Sequence, residues 1–172
     1  MKTLDWKLTD WTARKFIFSI GQEITGQLTF NGTWNFNAVY TDKETHLKFE
    51  QKNFWDRNIL VTKDGKKVGE ICSELLGSQT LKLLTGEKFV ISTSFWEQEV
   101  YWKAEKGDTI ITYRQATMSS LEKGVISLAE TLNIETEKLL VCSGLFARQI
   151  RRKRIAGTVA MMIPIVGAAS RL

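Results

Sequence analysis

The sequence predicts a mainly β protein, a closed antiparallel barrel of about twelve strands around a central hydrophobic C-terminal helix. Two observations lead to this fold class. Apolar and polar residues alternate in short runs up to about residue 129, as in half-buried strands. One late segment is apolar on nearly all sides, which is typical of a helix buried inside a protein. The length of 172 residues suits one domain rather than two.

Alternating runs of strand length follow one another at short intervals, which favours antiparallel meanders over βαβ crossovers. Ile24 in the third run and Phe36 in the fourth are predicted to point inward. Four tryptophans at alternating strand positions could line a ligand cavity but are predicted to belong to the core: Trp34, Trp55, Trp96 and Trp102. Glycine accepts positive φ, so Asn31-Gly32 and Asp64-Gly65 are predicted to form tight turns. The predicted strands are 5–8, 15–20, 23–30, 34–41, 46–52, 58–63, 67–73, 79–84, 88–94, 96–103, 109–116 and 123–129.

The apolar segment after Glu135 is predicted to be a helix over 136–154, with Thr136 as a possible N-cap. About eight strands close a barrel that side chains alone can fill, whereas twelve would leave a central void. A slim apolar helix along the axis would fill that void. The residues predicted to line this central helix are Leu139, Leu140, Val141, Leu145, Phe146 and Ile150. The barrel and helix are therefore assigned to 1–154, and 155–172 to an apolar C-terminal tail.

The excess of positive charge is confined to the end of the sequence. Residues 1–150 contain all 19 acidic residues and 19 of the 24 basic ones. Four of the other basic residues form the run Arg151–Arg154. Because a nucleic-acid interface needs positive charge spread over a face, nucleic acid is not an expected partner.

Several short motifs accompany the predicted strands and helix. They are Gly26–Phe30, Phe54-Trp55, Val68–Ile71 after the Asp64-Gly65 turn, Phe95-Trp96 and the segment Leu139–Ile150. With these motifs the chain resembles, over about 5–154, the tubby-like superfamily in its LURP-one-related and phospholipid-scramblase branch. The resemblance implies a closed twelve-stranded barrel around a buried C-terminal helix. Tubby domains bind phosphoinositide head groups, and scramblases are linked to calcium-dependent lipid movement, but the sequence contains no acidic calcium loop.

The run Arg151, Arg152, Lys153 and Arg154 is the candidate lipid- or phosphate-binding cluster. Each basic residue near an anionic bilayer contributes on the order of 1 kcal/mol. An apolar segment follows it, and the two together would supply the two signals that peripheral anchoring needs. In the alternative interpretation, these cations cap the C-terminus of the helix and lie in water at the barrel rim.

Residues 155–170 carry no charge and include Pro164. A helix that spans a bilayer needs about 20 apolar residues, so a simple transmembrane helix is not favoured. Two other interpretations stay open: shallow or re-entrant insertion into a membrane, and continuation of the central helix against the barrel mouth or a second copy of the chain. The residues expected to insert are Met161, Met162, Ile163, Ile165 and Val166.

Residues that build catalytic or metal sites are scarce. The single histidine, His46, opens a strand beside Glu44 and is expected to be exposed. Cys72 and Cys142 could form one disulfide, although reduced, structural thiols are the better expectation. No nucleophile–base pair, P-loop or zinc spacing is found, so neither a catalytic residue, a metal nor a cofactor is predicted.

The sequence therefore predicts a non-catalytic binding or scaffolding module that associates with anionic membrane lipid through its basic and apolar tail. Its expected location is cytoplasmic, with a peripheral position at the inner face of the membrane left open. One alternative is a soluble small-molecule binder or enzyme with a pocket at the barrel mouth. A scramblase-like protein and a homo-oligomer formed through the tail are the others.

Overall fold

The computed structural model describes the backbone of residues 2–9, 11–12, 14–32, 36–52, 56–73, 79–93, 99–117, 120–129 and 132–169. It describes the side chains of the same residues except 93 and 155–169. Three tryptophans that the alternation assigns to the core, Trp34, Trp55 and Trp96, lie outside these ranges. Trp102 lies within them and is fully buried, as predicted.

Within these described residues, twelve strands and one helix form a closed barrel with a central helix, so the predicted fold class is confirmed. The helix, α1, spans Ile134–Ala169. The predicted helix range, 136–154, lies inside it. The strands are β1 (Lys2–Leu8), β2 (Lys15–Ile20), β3 (Glu23–Phe30), β4 (Ala38–Thr41), β5 (His46–Gln51), β6 (Ile59–Lys63), β7 (Lys66–Ser73), β8 (Gln79–Leu83), β9 (Lys88–Thr93), β10 (Glu99–Ala104), β11 (Thr109–Gln115) and β12 (Lys123–Leu128).

Each strand pairs with its neighbours in sequence, and β1 pairs with β12 to close the barrel. All pairs are antiparallel, so successive connections alternate between the two ends. We call the end where α1 begins the start mouth; the turn at 64–65 lies there. We call the opposite end the exit mouth; the connections 9–14, 31–37, 52–58 and 116–122 join strands there.

Two details of the strand prediction are wrong. The fourth strand begins at Ala38, so Phe36 belongs to the connection 31–37 and Asn31-Gly32 is not a two-residue turn. Ile24 is exposed rather than inward, because a register shift between Phe18 and Ser19 leaves it beyond the regular part of the β2–β3 ladder. The Asp64-Gly65 turn is confirmed, with φ of 50° and 79° at its two residues.

The start of α1 differs from the predicted N-cap. The side-chain oxygen of Asn133, rather than Thr136, caps the helix, since it accepts the backbone N–H of Thr136 at 2.8 Å. The first intrahelical bond runs from the N–H of Glu137 to the carbonyl of Asn133 at 2.9 Å. Asparagine is among the best N-cap residues because its short amide reaches an otherwise unpaired N–H group.

The length of the barrel determines where α1 emerges. A seven-residue strand such as β1 extends about 23 Å, and the tilt of about 40° usual in barrels leaves roughly 18 Å along the axis. The helix from Leu139 to Ile150 rises about 18 Å. This stretch is buried at every position, and Arg151, the next residue, is the first that is partly exposed. The predicted central-helix residues therefore fill the interior.

Two barrel side chains hydrogen-bond to the backbone of the central helix. The indole N–H of Trp102 donates to the carbonyl of Leu140 at 2.9 Å, and the hydroxyl of Tyr113 donates to the same carbonyl at 2.6 Å. A carbonyl oxygen has two lone pairs, so it can accept both of these bonds. Gly144 makes this approach possible, because a Cβ atom there would lie 2.2 Å from the Cζ and Oη atoms of Tyr113.

Aromatic packing fills the axis towards the exit mouth. The ring of Phe146 stacks on Phe49, with centroids 4.5 Å apart, and on Phe30, with centroids 5.6 Å apart. All three side chains are buried. Offset aromatic pairs add about 0.5–1.5 kcal/mol to the contribution of burial alone, so this cluster fixes the rotation of α1 as well as its depth.

Ion pairs hold the first turns of α1 to the start mouth. Lys2 pairs with Glu137 at 2.6 Å, and Lys63 pairs with Glu135 at 2.7 Å. Lys138 pairs with Asp42 at 3.1 Å, and the Asp42 side chain is only 3% exposed. These contacts come from different sides of the barrel and therefore centre the helix in its mouth.

Candidate functional site

The predicted basic cluster, Arg151–Arg154, lies at the exit mouth, where α1 leaves the barrel. Arg152 is exposed, and the other three side chains are partly buried. The backbone stays helical to Ala169, so these residues do not cap a helix C-terminus, and that part of the alternative interpretation is wrong. The side chains expected to insert into a membrane, Met161, Met162, Ile163, Ile165 and Val166, lie outside the described side chains.

Glu122, in the connection before β12, is the acidic group that two helix cations share. Its carboxylate accepts a bond from Arg148 Nη1 at 2.7 Å and forms an ion pair with Arg152. Arg148 is only 9% exposed, contacts Gln115 and lies over the ring of Trp6, 5.4 Å from its centroid. A buried guanidinium needs such partners, because desolvating an unpaired charge is costly. Arg148 therefore closes the exit mouth from inside.

Lys153 and Arg154 lie over aromatic rings of the rim. Lys153 Nζ is 4.9 Å from the ring centroid of Phe30, and the guanidinium of Arg154 is 5.5 Å from that of Phe36. Cation–π contacts of this kind contribute about 0.5–1 kcal/mol at exposed sites and more when water is excluded. The two rings hold the cations at the mouth rather than letting them extend freely into solvent.

Further basic side chains lie close to these two residues. Burial lowers the pKa of Lys153, and the nearby positive charge of Arg14 lowers it further. Burial also lowers the pKa of Arg154, and the charge of Arg57 adds to the effect. Like charges placed together favour binding of an anion, which would stabilise all of the charged forms at once. The structure thus adds Arg14 and Arg57 to the cluster predicted from sequence.

We call Arg14, Arg57 and Arg151–Arg154 together the exit-mouth cluster. Sequence reasoning missed Arg14 and Arg57, because neither belongs to a basic run as long as Arg151–Arg154. It also missed Glu122 and Arg148. An arginine within an apolar helix is a signal that a buried partner exists, but the sequence does not show which of 19 acidic residues supplies it.

The cysteines and the histidine are placed as expected. Both thiols are free, Cys142 is buried on the central helix, and Cys72 is partly buried on β7. Burial raises the pKa of the Cys142 thiol, which keeps it protonated and unreactive. His46 is exposed at the start of β5. Among the described residues, no group of three or more His, Cys, Asp or Glu side chains could hold a metal ion.

Within the part of the chain that the structure describes, no helix is long and apolar enough to cross a membrane. The chain matches no protein-family model, and comparisons with curated proteins and with solved structures found no significant match.

Proposed function

We propose that this chain is a non-catalytic binding module of the tubby-like type that associates peripherally with anionic membrane lipid through its exit mouth. The observation that carries the proposal is the exit-mouth cluster, in which Lys153 and Arg154 are held at the rim beside Arg14 and Arg57. A cytoplasmic site at the inner membrane face is part of the same proposal, because anionic lipids are concentrated there.

The architecture supports the kinship on which the proposal draws. Twelve strands close around a buried helix, which is the arrangement that the tubby-like resemblance implies. Since one fold serves many functions, the charges of the site, rather than the fold, support binding to anionic lipid.

The filled interior argues against a small-molecule pocket on the barrel axis. Leu140, Leu145 and Phe146 are each fully buried, and they occupy the space that such a ligand would need. A ligand of this module is therefore expected at the surface of a mouth. The exit mouth is the better candidate, because Lys153 and Arg154 lie close to the further positive charges of Arg14 and Arg57 there.

Replacing Arg151–Arg154 by four serines is expected to weaken binding to anionic vesicles at least tenfold at low salt, since each charge contributes on the order of 1 kcal/mol before screening. Co-sedimentation with vesicles of phosphatidylcholine alone, and with added phosphatidylserine, measures this partitioning. The wild-type protein should bind only the anionic vesicles, and less strongly at physiological salt.

A matched control removes the same charge from the opposite end of the barrel. Lys43, Lys66, Lys67 and Lys106 are exposed at the start mouth, and their replacement by serine should leave binding within about twofold of wild type. Equal losses in both variants would show attraction by net charge alone and would contradict a site at the exit mouth. Absence of wild-type binding to anionic vesicles would contradict the proposed function itself.

A further inference from the structure

Trp11 is the most exposed large apolar side chain among the described residues, with 78% of its surface accessible. It lies in the connection between β1 and β2, which joins those strands at the exit mouth. A single exposed apolar residue is ordinary on a protein surface. The position of this tryptophan beside the exit-mouth cluster is what calls for an explanation.

Backbone hydrogen bonds place both ends of this connection against the exit of α1. On one side, the N–H of Leu8 donates to the carbonyl of Glu122 at 2.7 Å, and the carboxylate of Glu122 pairs with Arg152. On the other side, the N–H of Phe30 donates to the carbonyl of Arg14 at 2.7 Å.

The ring of Phe30 carries Lys153. One end of the connection that holds Trp11 is thus hydrogen-bonded to Glu122, which pairs with Arg152. The other end is hydrogen-bonded to Phe30, whose ring contacts Lys153. These two attachments place the connection that carries Trp11 at the same mouth as the helix cations.

An exposed tryptophan and a cluster of basic side chains both favour the surface of an anionic membrane. Tryptophan is enriched at the membrane–water interface, where its ring is apolar and its N–H can reach a polar group. Basic side chains close by are attracted to anionic head groups. Charge alone or one apolar group alone gives weak, reversible attachment, whereas the combination gives stable peripheral binding.

We propose that Trp11 inserts into the head-group region of an anionic bilayer when the exit mouth docks, and that it is the apolar contact on the barrel side of the site. This inference rests on the proposed function. The tip of the β1–β2 connection and the exit-mouth cluster then contact one membrane plane together.

Fluorescence quenching by brominated phospholipid tests the insertion directly, in vesicles of brominated phosphatidylcholine and phosphatidylserine. The chain has six tryptophans, and the other five are common to wild type and the Trp11→Phe variant, so the difference between the two emission signals isolates that of Trp11. That difference should be strongly quenched by the brominated anionic vesicles. An unquenched difference signal in vesicle-bound protein would overturn the inference.

Partitioning gives an independent readout. Trp11→Ala should bind anionic vesicles about tenfold more weakly, and Trp11→Phe should lose less. Leu84→Ala is the matched control, because Leu84 is 66% exposed but lies in the connection between β8 and β9 at the start mouth. It should bind as wild type does. Thermal unfolding of each variant should be unchanged, since both side chains are exposed.

The outcomes separate this inference from the function on which it rests. If Trp11→Ala binds as tightly as wild type while the four-serine variant at Arg151–Arg154 does not bind, the membrane function stands and the role of Trp11 is wrong. If wild-type protein fails to bind anionic vesicles, both proposals are wrong. If both variants lose binding and Leu84→Ala does not, both proposals are supported.

Discussion

Replacing Gly144 by alanine is expected to destabilise the folded protein by about 2–4 kcal/mol, although the same change stabilises an exposed helix by about 1 kcal/mol. A methyl group at this position would lie 2.2 Å from the Cζ and Oη atoms of Tyr113. That ring is 2% exposed and cannot swing into solvent. The clash would also break the hydrogen bond from Tyr113 to Leu140, which contributes about 1 kcal/mol.

Denaturant unfolding of Gly144→Ala measures the sign and size of this effect. A double-mutant cycle with Tyr113→Leu is the control, because leucine lacks the ring and hydroxyl atoms that clash. The cost of Gly144→Ala should shrink by about 1–3 kcal/mol in the Tyr113→Leu background. A stabilised Gly144→Ala protein would mean that residue 144 faces solvent, and the central helix would have to be placed elsewhere.

Replacing Leu145 by aspartate should abolish cooperative folding near neutral pH. Leu145 is fully buried on the axis. Truncating a buried leucine costs about 2–5 kcal/mol, and a buried carboxylate without a partner adds several more. The sum approaches the whole stability of an ordinary domain, about 5–15 kcal/mol.

The loss of stability in Leu145→Asp should increase as the pH rises. Burial raises the pKa of a carboxyl group, so the folded state favours the protonated aspartic acid. The penalty is therefore smallest below about pH 4, the usual pKa of aspartate, and grows as the pH rises through the raised value. Circular dichroism between pH 4 and pH 8, with wild type measured in parallel, follows this trend.

Two control variants test whether the loss of stability in Leu145→Asp comes from burying a carboxylate rather than from any change at position 145 or any leucine-to-aspartate substitution. Leu145→Met should cost less than about 1.5 kcal/mol, because it preserves volume. Leu84→Asp changes an exposed leucine in the same way and should stay within about 0.5 kcal/mol of wild type. A Leu145→Asp protein that unfolds like Leu84→Asp would contradict a position inside the barrel.

The alternation of apolar and polar residues was sufficient to predict the barrel, because each strand shows this pattern within its own short sequence. Each strand has one face in the core, so inward and outward residues alternate, and the strand ranges follow from that pattern. Leu139–Ile150 has no polar face and so had to be surrounded. The number of strands then left a space of the right size for a helix.

The errors arose where geometry interrupts that local pattern. Ile24 continues the alternation of β3 in sequence, but the register shift at Phe18–Ser19 pairs it with Ser19 instead of continuing the register set by Phe18 and Gly26. Phe36 has the spacing of a strand residue, yet it lies in a connection and supports Arg154. Neither a bulge nor a loop can be read from alternation alone, since both depend on the partner strand.

The sequence was sufficient to predict the charged segment of the site, but not how its residues and their partners are arranged in space. The run Arg151–Arg154 is visible in the sequence, and the length of the barrel places it at a mouth. Its partners come from distant positions: Glu122 is supplied before β12, and Arg14 before β2. Such contacts arise only when the strands close, so no short sequence window contains them.

Solvent access to the thiol of Cys142 tests the central helix most directly. Cys142 is fully buried at the axis, and its Sγ lies 3.0 Å from the carbonyl oxygen of Lys138. In a Cys72→Ser variant it is the single thiol, and reaction with an aromatic disulfide reagent reports its exposure. Native protein is expected to stay unlabelled, and labelling should follow global unfolding by denaturant. Labelling in native buffer at the rate of the unfolded chain would contradict a helix enclosed by the barrel.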